Sequence, residues 1–449
     1  MREIILHDTR SGAPVALSPR DRGQVGVYAC GPTVYSRIHI GNARPFVVFS
    51  LLKRFLEHEG YRVTLVVNIT DINDKIYDAA RAQQRASAEL AAEMAELYRA
   101  DTQALGLGRP DHEPLASETI GPIVEHIQTL IERGHAYAAG GDVYFRVRSD
   151  EGYGSLSHRR LENMDQGEGV EGTERKEDPL DFALWKGRKE GEDSWWDSPW
   201  GQGRPGWHIE CSAMAEQLLG VGFDIHGGGS DLLFPHHENE AAQTRAARGE
   251  ELARLWMHNG MIQFTGEKMA KSVGNIALLH EVLAEHGAET VVMYLVSGHY
   301  RQPLAFSHAA LEQAGANVSR IREAGRRLSA GESPADLSGL RDRFFDVLAR
   351  DFNTPEALAV LNEWIRQASG AREQPVGDGH LREMLGVLGL DSLLDASEQA
   401  PDAVRELAVR REQARTRRDF AAADELRLQI AAQGWEVRDG AGGFELLPL

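Results

Sequence analysis

Cysteine is nearly absent from this chain: only Cys30 and Cys211 occur in 449 residues. With no CxxC pair, neither a disulfide scaffold nor a local metal knuckle can be read from spacing. A reducing compartment leaves the two as core thiols, metal ligands or nucleophiles. Long apolar runs are also missing, so no stretch is suited to span a bilayer. The opening Met1-Arg2-Glu3-Ile4-Ile5-Leu6 lacks the pattern of a secretory signal. The expected setting is therefore cytoplasmic, with no membrane partner. Basic charge is in deficit: 49 Lys and Arg stand against 68 Asp and Glu, a net charge of -19. That excludes non-specific nucleic-acid binding by the whole surface but allows a local basic face. No internal repeat occurs. A hydrophobic fraction of 42% supports real cores, and the length suggests about two to four domains.

What is present begins with residues 25–56. Val25-Gly26-Val27-Tyr28-Ala29-Cys30 is a β-type apolar run closed by Gly31-Pro32. Phe46, Val48, Leu51, Leu52, Phe55 and Leu56 recur at helical steps. Pro45 suits the first turn of that helix and Gly60 its end. His39-Ile40-Gly41-Asn42 then falls at a helix entrance, where unpaired amides and the helix dipole favour an anion. Gly41 admits a ligand without meeting a Cβ, and His39 can donate to a phosphoryl oxygen. Read alone, the loop is equally an ordinary βα turn with a surface histidine.

Arg62 to Thr70 is a near-continuous apolar strand of the kind buried in parallel sheets. Strand, crossover helix, strand predicts an α/β fold with a Rossmann-like doubly wound parallel sheet. Ligands bind such sheets beyond the carboxyl ends of strands, where Cys30 and Thr70 fall. A helix is predicted over 86–105. From about residue 110 the pattern changes to an amphipathic helix, a hairpin turning at Gly140-Gly141, and an acidic loop over 162–178. Residues 111–200 read as an α+β insertion. Glu210 and Cys211 are placed in the first turn of the next helix. Phe223-Asp224-Ile225-His226 reads as a short strand, Gly227 to Asp231 as a loop, and a helix begins near His236. The remainder is mostly helical. Its linkers fall at 329–336, 370–379 and 397–401, and a hairpin from Trp435 ends it.

Four groups of residues carry chemistry. Lys268-Met269-Ala270-Lys271-Ser272 puts two lysines on a Gly-flanked loop able to meet a polyphosphate. A solvated basic turn has the same composition. His236 and Glu240 project from one helix face. With Cys30 and Cys211 they supply a donor set suited to Zn²⁺, although on spacing alone inert core residues are the more ordinary reading. Gly227-Gly228-Gly229 with Asp231 can admit an adenosine. Arg405, Arg410, Arg411, Arg415, Arg417, Arg418 and Arg427 offer either a phosphate-binding face or solvated helix faces. Trp435 reads as the core aromatic of a small domain.

His39-Ile40-Gly41-Asn42 resembles the HIGH signature of class I aminoacyl-tRNA synthetases, with Asn42 replacing the last histidine. Lys268 to Ser272 resembles their KMSKS loop, with Ala270 replacing a serine. Tyr28 to Tyr35, Asn68 to Lys75, Pro205 to Ser212 and Phe223 to Glu240 are similar to the cysteinyl-tRNA synthetases, and the match runs to the final hairpin. The resemblance implies a zinc ion held by Cys30, Cys211, His236 and Glu240, with Gly31, Thr70 and Trp207 bordering the amino acid. It implies an ATP site of Pro32, His39, Gly41, Asn42, Gly229, Asp231, Lys268, Lys271 and Ser272. His39, Asn42, Lys268 and Lys271 would be catalytic, Mg²⁺ would accompany ATP, and L-cysteine and tRNA(Cys) would be the other partners of a monomer. The implied catalytic domain spans 1–110 and 201–250 around the 111–200 insertion. A stem-contact region over 251–328, a helical bundle over 329–395 and an anticodon-binding domain over 396–449 would follow. Zinc has a physical purpose here. A shape-based pocket separates near-isosteres such as cysteine and serine only ~10–200-fold, whereas a soft metal prefers the thiolate.

Two alternatives keep parts of this reading. One is a related ligase that couples cysteine to a small amino-sugar and lacks a full C-terminal region. The helical segment at Asp351-Phe352-Asn353-Thr354-Pro355-Glu356 and the Arg-rich tail favour tRNA instead. The other is a zinc-binding paralogue without catalysis, against which stand His39, both lysines and all four candidate ligands.

Overall fold

The computed structural model describes residues 2–164, 173–264, 277–370, 375–395, 401–440 and 443–448. The chain opens with an antiparallel pair, β1 (Ile5–Asp8) and β2 (Ala13–Ala16). Next, β3 (Gln24–Ala29), helix α1 (Ile40–His58) and β4 (Arg62–Val67) form a unit whose strands pair in parallel. Helices α2 (Asp74–Gln83), α3 (Ser87–Gln103) and α4 (Ile120–Glu132) follow. They lead to an antiparallel sheet of β5 (Ala136–Ala139), β6 (Asp142–Phe145), β7 (Phe182–Gly187) and β8 (Gly203–Pro205), in that spatial order. Helix α5 (Trp207–Leu219), β9 (Phe223–Gly229), α6 (Glu238–Arg248) and β10 (Ala253–Asn259) then return to the parallel sheet. Its order is β10-β9-β3-β4, the doubly wound α/β core predicted from the strand pattern. Val63, Leu65, Val66 and Val67 of β4 are all buried, as a strand covered on both faces requires.

The same compact unit, Met1–Leu393, continues through β11 (Ile262–Phe264), α7 (Leu279–His286), α8 (Ala288–Val296), β12 (Leu304–Phe306) and α9 (His308–Arg326). Three further helices close it: α10 (Ser338–Leu348), α11 (Thr354–Ala368) and α12 (Gly379–Val387). The second unit, Leu394–Leu449, holds α13 (Asp402–Thr416), α14 (Phe420–Ala432) and a hairpin of β13 (Trp435–Gly440) and β14 (Gly443–Pro448). Val404, Ala408, Ile430, Trp435 and Val437 form its core, so Trp435 is a packing residue. Within this unit Arg411 is buried, and Arg411 and Arg415 both pair with Asp439, which takes those two out of any free basic face.

Several local expectations need correction. Helix α1 starts at Ile40 and not beside Pro45, because His39 caps it. Pro45 therefore lies inside the helix, where it forgoes the bond to the Gly41 carbonyl. Cys211 is the fifth residue of α5, past its first turn. Gly227, Gly228 and Gly229 are not a loop but the end of β9. The reason is close approach: a Cβ on Gly227 would collide with the Phe49 ring of α1 and stand 2.7 Å from the Met257 carbonyl. Helix α11 is capped by Asn353, whose side chain accepts from Glu356 N, and Pro355 falls in its first turn.

Candidate active site

The carboxyl ends of β3, β9 and β10 open into a cavity of about 660 Å³. Cys30, Gly31, Pro32, His39, Gly41, Asn42, Trp207, Gly229 and Asp231 all line it. Thr70, Cys211, His236 and Glu240 lie behind that lining. Lys268, Lys271 and Ser272 lie outside the described residues. Sequence reasoning did not single out Tyr35, Asn259 or Met261, which also line the cavity; none belongs to a spacing pattern.

One side is built on the entrance to α1. His39 N donates to Asn42 Oδ1 at 3.2 Å, and Gly41 N donates to His39 Nδ1 at 3.1 Å. This reciprocal pair is a capping box. It corrects the expectation of unpaired amides, because Ile40 N also donates to Ala277 O and Asn42 N to His39 O. As Nδ1 accepts, the ring proton resides on Nε2. A Cβ on Gly41 would approach the His39 ring to 2.8 Å, so glycine permits the cap.

The other side is drier. Cys30, at the end of β3, is held by Cys30 N donating to Gly227 O at 2.9 Å. Gly31 N donates to Asn68 Oδ1 at 2.9 Å, and a Cβ there would strike the Asn68 carbonyl. Thr70 is buried and bridges back to this turn through Thr70 N to Pro32 O at 3.1 Å. Trp207 stacks on His236 with ring centroids 4.3 Å apart. Ligand atoms of Cys30, Cys211, His236 and Glu240 all lie within 4.8 Å of one another, and all four residues are buried. His236 Nε2 stands 3.0 Å from Glu240 Oε1, and Cys30 Sγ 3.6 Å from the same oxygen.

The charges in this cluster suit a divalent cation. Burial lowers the His236 pKa, but the Glu240 and Cys211 charges outweigh it and raise it to about 10. Burial works to raise Cys211, yet Cys30 and His236 bring it down to about 7. Burial and the neighbouring Cys211 push Cys30 well up. Glu240 Oε2 is buried and accepts no hydrogen bond, although His226 Nε2 is 3.3 Å away. An orphaned carboxylate oxygen beside two sulfurs and an imidazole fits a soft or borderline metal.

A second ligand set was not anticipated. Cys30, His226, His237 and Glu240 also converge within 4.8 Å. His237 Nδ1 meets His258 Nε2 at 2.7 Å, and His258 Nδ1 meets Thr9 Oγ1 at 2.8 Å. Burial holds His226 down to about 4 and His258 to about 3, so both stay neutral. The set with two sulfurs carries more negative charge and better matches a divalent ion. His226 gives no sequence signal, because it sits in a strand read only for its hydrophobicity.

Comparison with known proteins follows the same lines. The fold matches the methionyl-tRNA synthetase of Mycobacterium tuberculosis, solved with methionyl-adenylate (TM-score 0.57, 16% identity, 83% of this chain and 89% of that one). It matches LeuRS of Agrobacterium radiobacter, solved as a ternary LeuRS-tRNA-LeuAMS complex (TM-score 0.61, 12% identity, 85% and 86% covered). A family model described as the tRNA synthetases class I (C) catalytic domain matches residues 16–316. Fold and site thus define a class I aminoacyl-tRNA synthetase. Cysteine–tRNA ligase of Alkalilimnicola ehrlichii is 46% identical over 454 residues, covering 98% of each chain. The ligase of Geobacillus thermodenitrificans is 42% identical, covering 99% of this chain and 98% of its own. The chain belongs to the cysteine–tRNA ligase family.

Proposed function

We propose that this chain activates L-cysteine with ATP and transfers the cysteinyl group to the 3′ end of tRNA(Cys), selecting cysteine through a zinc-bound thiolate. The observation that carries this reading is that the Cys30, Cys211, His236 and Glu240 cluster reaches, through Cys30, the same cavity that His39, Gly41 and Asn42 line. Those four residues would hold the zinc; when bound, it supplies a soft Lewis acid that favours a thiolate over an alcohol.

In the first step a cysteine carboxylate oxygen attacks the α-phosphorus of ATP. The bond from that phosphorus to the bridging oxygen breaks, and pyrophosphate leaves with the electron pair. In the second, a ribose hydroxyl of the tRNA end attacks the carbonyl and AMP leaves. Gly31, Thr70 and Trp207 border the amino acid. Pro32, Gly41, Gly229 and Asp231 border the nucleotide, which enters with Mg²⁺. His39 through Nε2, Asn42, Lys268 and Lys271 stabilise the charge that grows on the departing pyrophosphate, and Ser272 adds a contact. The domain assignments given above, the monomeric state and a cytoplasmic setting belong to the same proposal; among the described residues no helix is long and apolar enough to cross a membrane.

The test is ATP–pyrophosphate exchange with cysteine and with serine, on protein of measured zinc content. Exchange specific to cysteine that disappears with the metal is expected. Cysteine preference surviving in metal-free protein would sink the zinc role.

A further inference from the structure

Arg44 follows His39-Ile40-Gly41-Asn42-Ala43 directly, as the fifth residue of α1. Its helix neighbours Gly41, Asn42, Pro45 and Phe46 line the cavity, whereas Arg44 does not. It stands behind the wall, fully buried. Nη1 donates to Gly260 O at 2.5 Å and to Met261 O at 3.3 Å, and Nη2 donates to His299 O at 3.2 Å. Nε makes no hydrogen bond, and among the described residues no carboxylate forms an ion pair with the guanidinium. Burial lowers its pKa to about 10, which leaves it charged at neutral pH.

A buried cation without a counter-ion is a costly way to hold backbone carbonyls. Its planar fork reaches three carbonyls at once in a fixed geometry that the rotatable donors of a lysine ammonium do not preset. What it holds is cavity wall. Gly260 and Met261 line the cavity. Gly260 N donates to Tyr300 O at 2.8 Å, and Leu304 N donates to Met261 O at 3.0 Å. A Cβ on Gly260 would approach Pro303 N to 2.7 Å. The turn is thus clamped between α1 and the 299–304 segment, and Arg44 is the link from the α1 side.

We propose that Arg44 is a positioning residue for the nucleotide: it fixes the Gly260–Met261 wall against the first turns of α1, and its uncompensated charge is balanced when a polyphosphate anion fills the cavity. The inference rests on the reading of the cavity as the ATP site. In a medium of low dielectric that charge acts on an anion without touching it.

ATP–pyrophosphate exchange on Arg44→Met and Arg44→Lys tests it, with both Michaelis constants, zinc content and the thermal midpoint measured. In Arg44→Met the KM for ATP is expected to rise roughly tenfold, while that for cysteine stays within about twofold. Arg44→Lys, which keeps the charge, should recover part of the difference. If Arg44→Met does not fold, the same one-sided shift is required of Arg44→Lys. Equal shifts in both constants, or none in either, overturn the positioning role. Absence of exchange in the unaltered protein would instead overturn the proposed function itself.

Discussion

Cys30, Cys211, His236 and Glu240 are all buried, with Cys30 alone reaching the cavity lining, whereas His39, Gly41 and Asn42 are half-buried at the cavity surface and Asp231 is exposed. The first group draws on three separate segments: the end of β3, helix α5 and the 236–240 stretch that enters α6. The second is largely one loop that caps its own helix. The difference teaches how each half can work. Buried sulfurs and a carboxylate are costly unless paired, so that half is stable in proportion to what it binds. The loop half meets its own hydrogen-bonding needs before any ligand arrives, so its geometry is set in advance.

The sharpest way to break the comparison is Cys211→Ser. Zinc content should fall to background by elemental analysis, and cysteine activation should drop at least roughly 10³-fold. Full metal content in that variant would mean that the His226 and His237 set holds the ion. The nucleotide half should respond differently. Lys271→Ala is expected to lower kcat for adenylate formation roughly 10²–10³-fold, with zinc content and cysteine affinity unchanged. Equal loss of cysteine affinity would show that the halves are not separable.

The two halves meet where α1 packs on β9. Gly227→Ala drives a Cβ into the Phe49 ring and should destabilise the fold by about 1–3 kcal/mol, read as a lower denaturation midpoint. Wild-type stability there would mean that the contact between α1 and β9 has slack. The smallest effect lies outside both halves. Burial works to raise the Glu59 carboxyl, but Arg2 holds it below the usual range through Arg2 N at 2.8 Å and the guanidinium at 2.8 Å. The pKa is depressed on folding, so the stabilisation is present above the unfolded carboxylate value and is lost as pH falls through the folded one. Arg2→Ala should therefore lower stability near neutrality and flatten the acid limb of a pH titration. An unchanged acid limb would remove Glu59 from that account.

Much of this was legible locally. The period of Phe46 to Leu56 marked α1, the apolar run from Arg62 marked β4, and Gly140-Gly141 marked the turn between β5 and β6. Trp435 lies in the small C-terminal core, as read. The four candidate ligands were a different matter. Cys30 and Glu240 are 210 residues apart, and no local rule joins them; only resemblance did. The histidines at 226 and 258 were passed over because a lone histidine in an apolar strand looks like filler, and His237 because its neighbour His236 already pairs with Glu240 at i, i+4. The triple glycine misled because glycine marks both turns and close backbone approach, and only the Phe49 ring distinguishes the two. Arg44 was invisible for the same reason: its partners are carbonyls, which carry no sequence identity.

The capping role of His39 has a consequence for anyone mutating this loop. The imidazole that would face pyrophosphate through one nitrogen also starts a nineteen-residue helix through the other. Alanine would take away a proton donor and a helix start together, and the resulting defect would have two origins. Asparagine, which can still accept from the Gly41 amide, retains the scaffold and isolates the chemical loss.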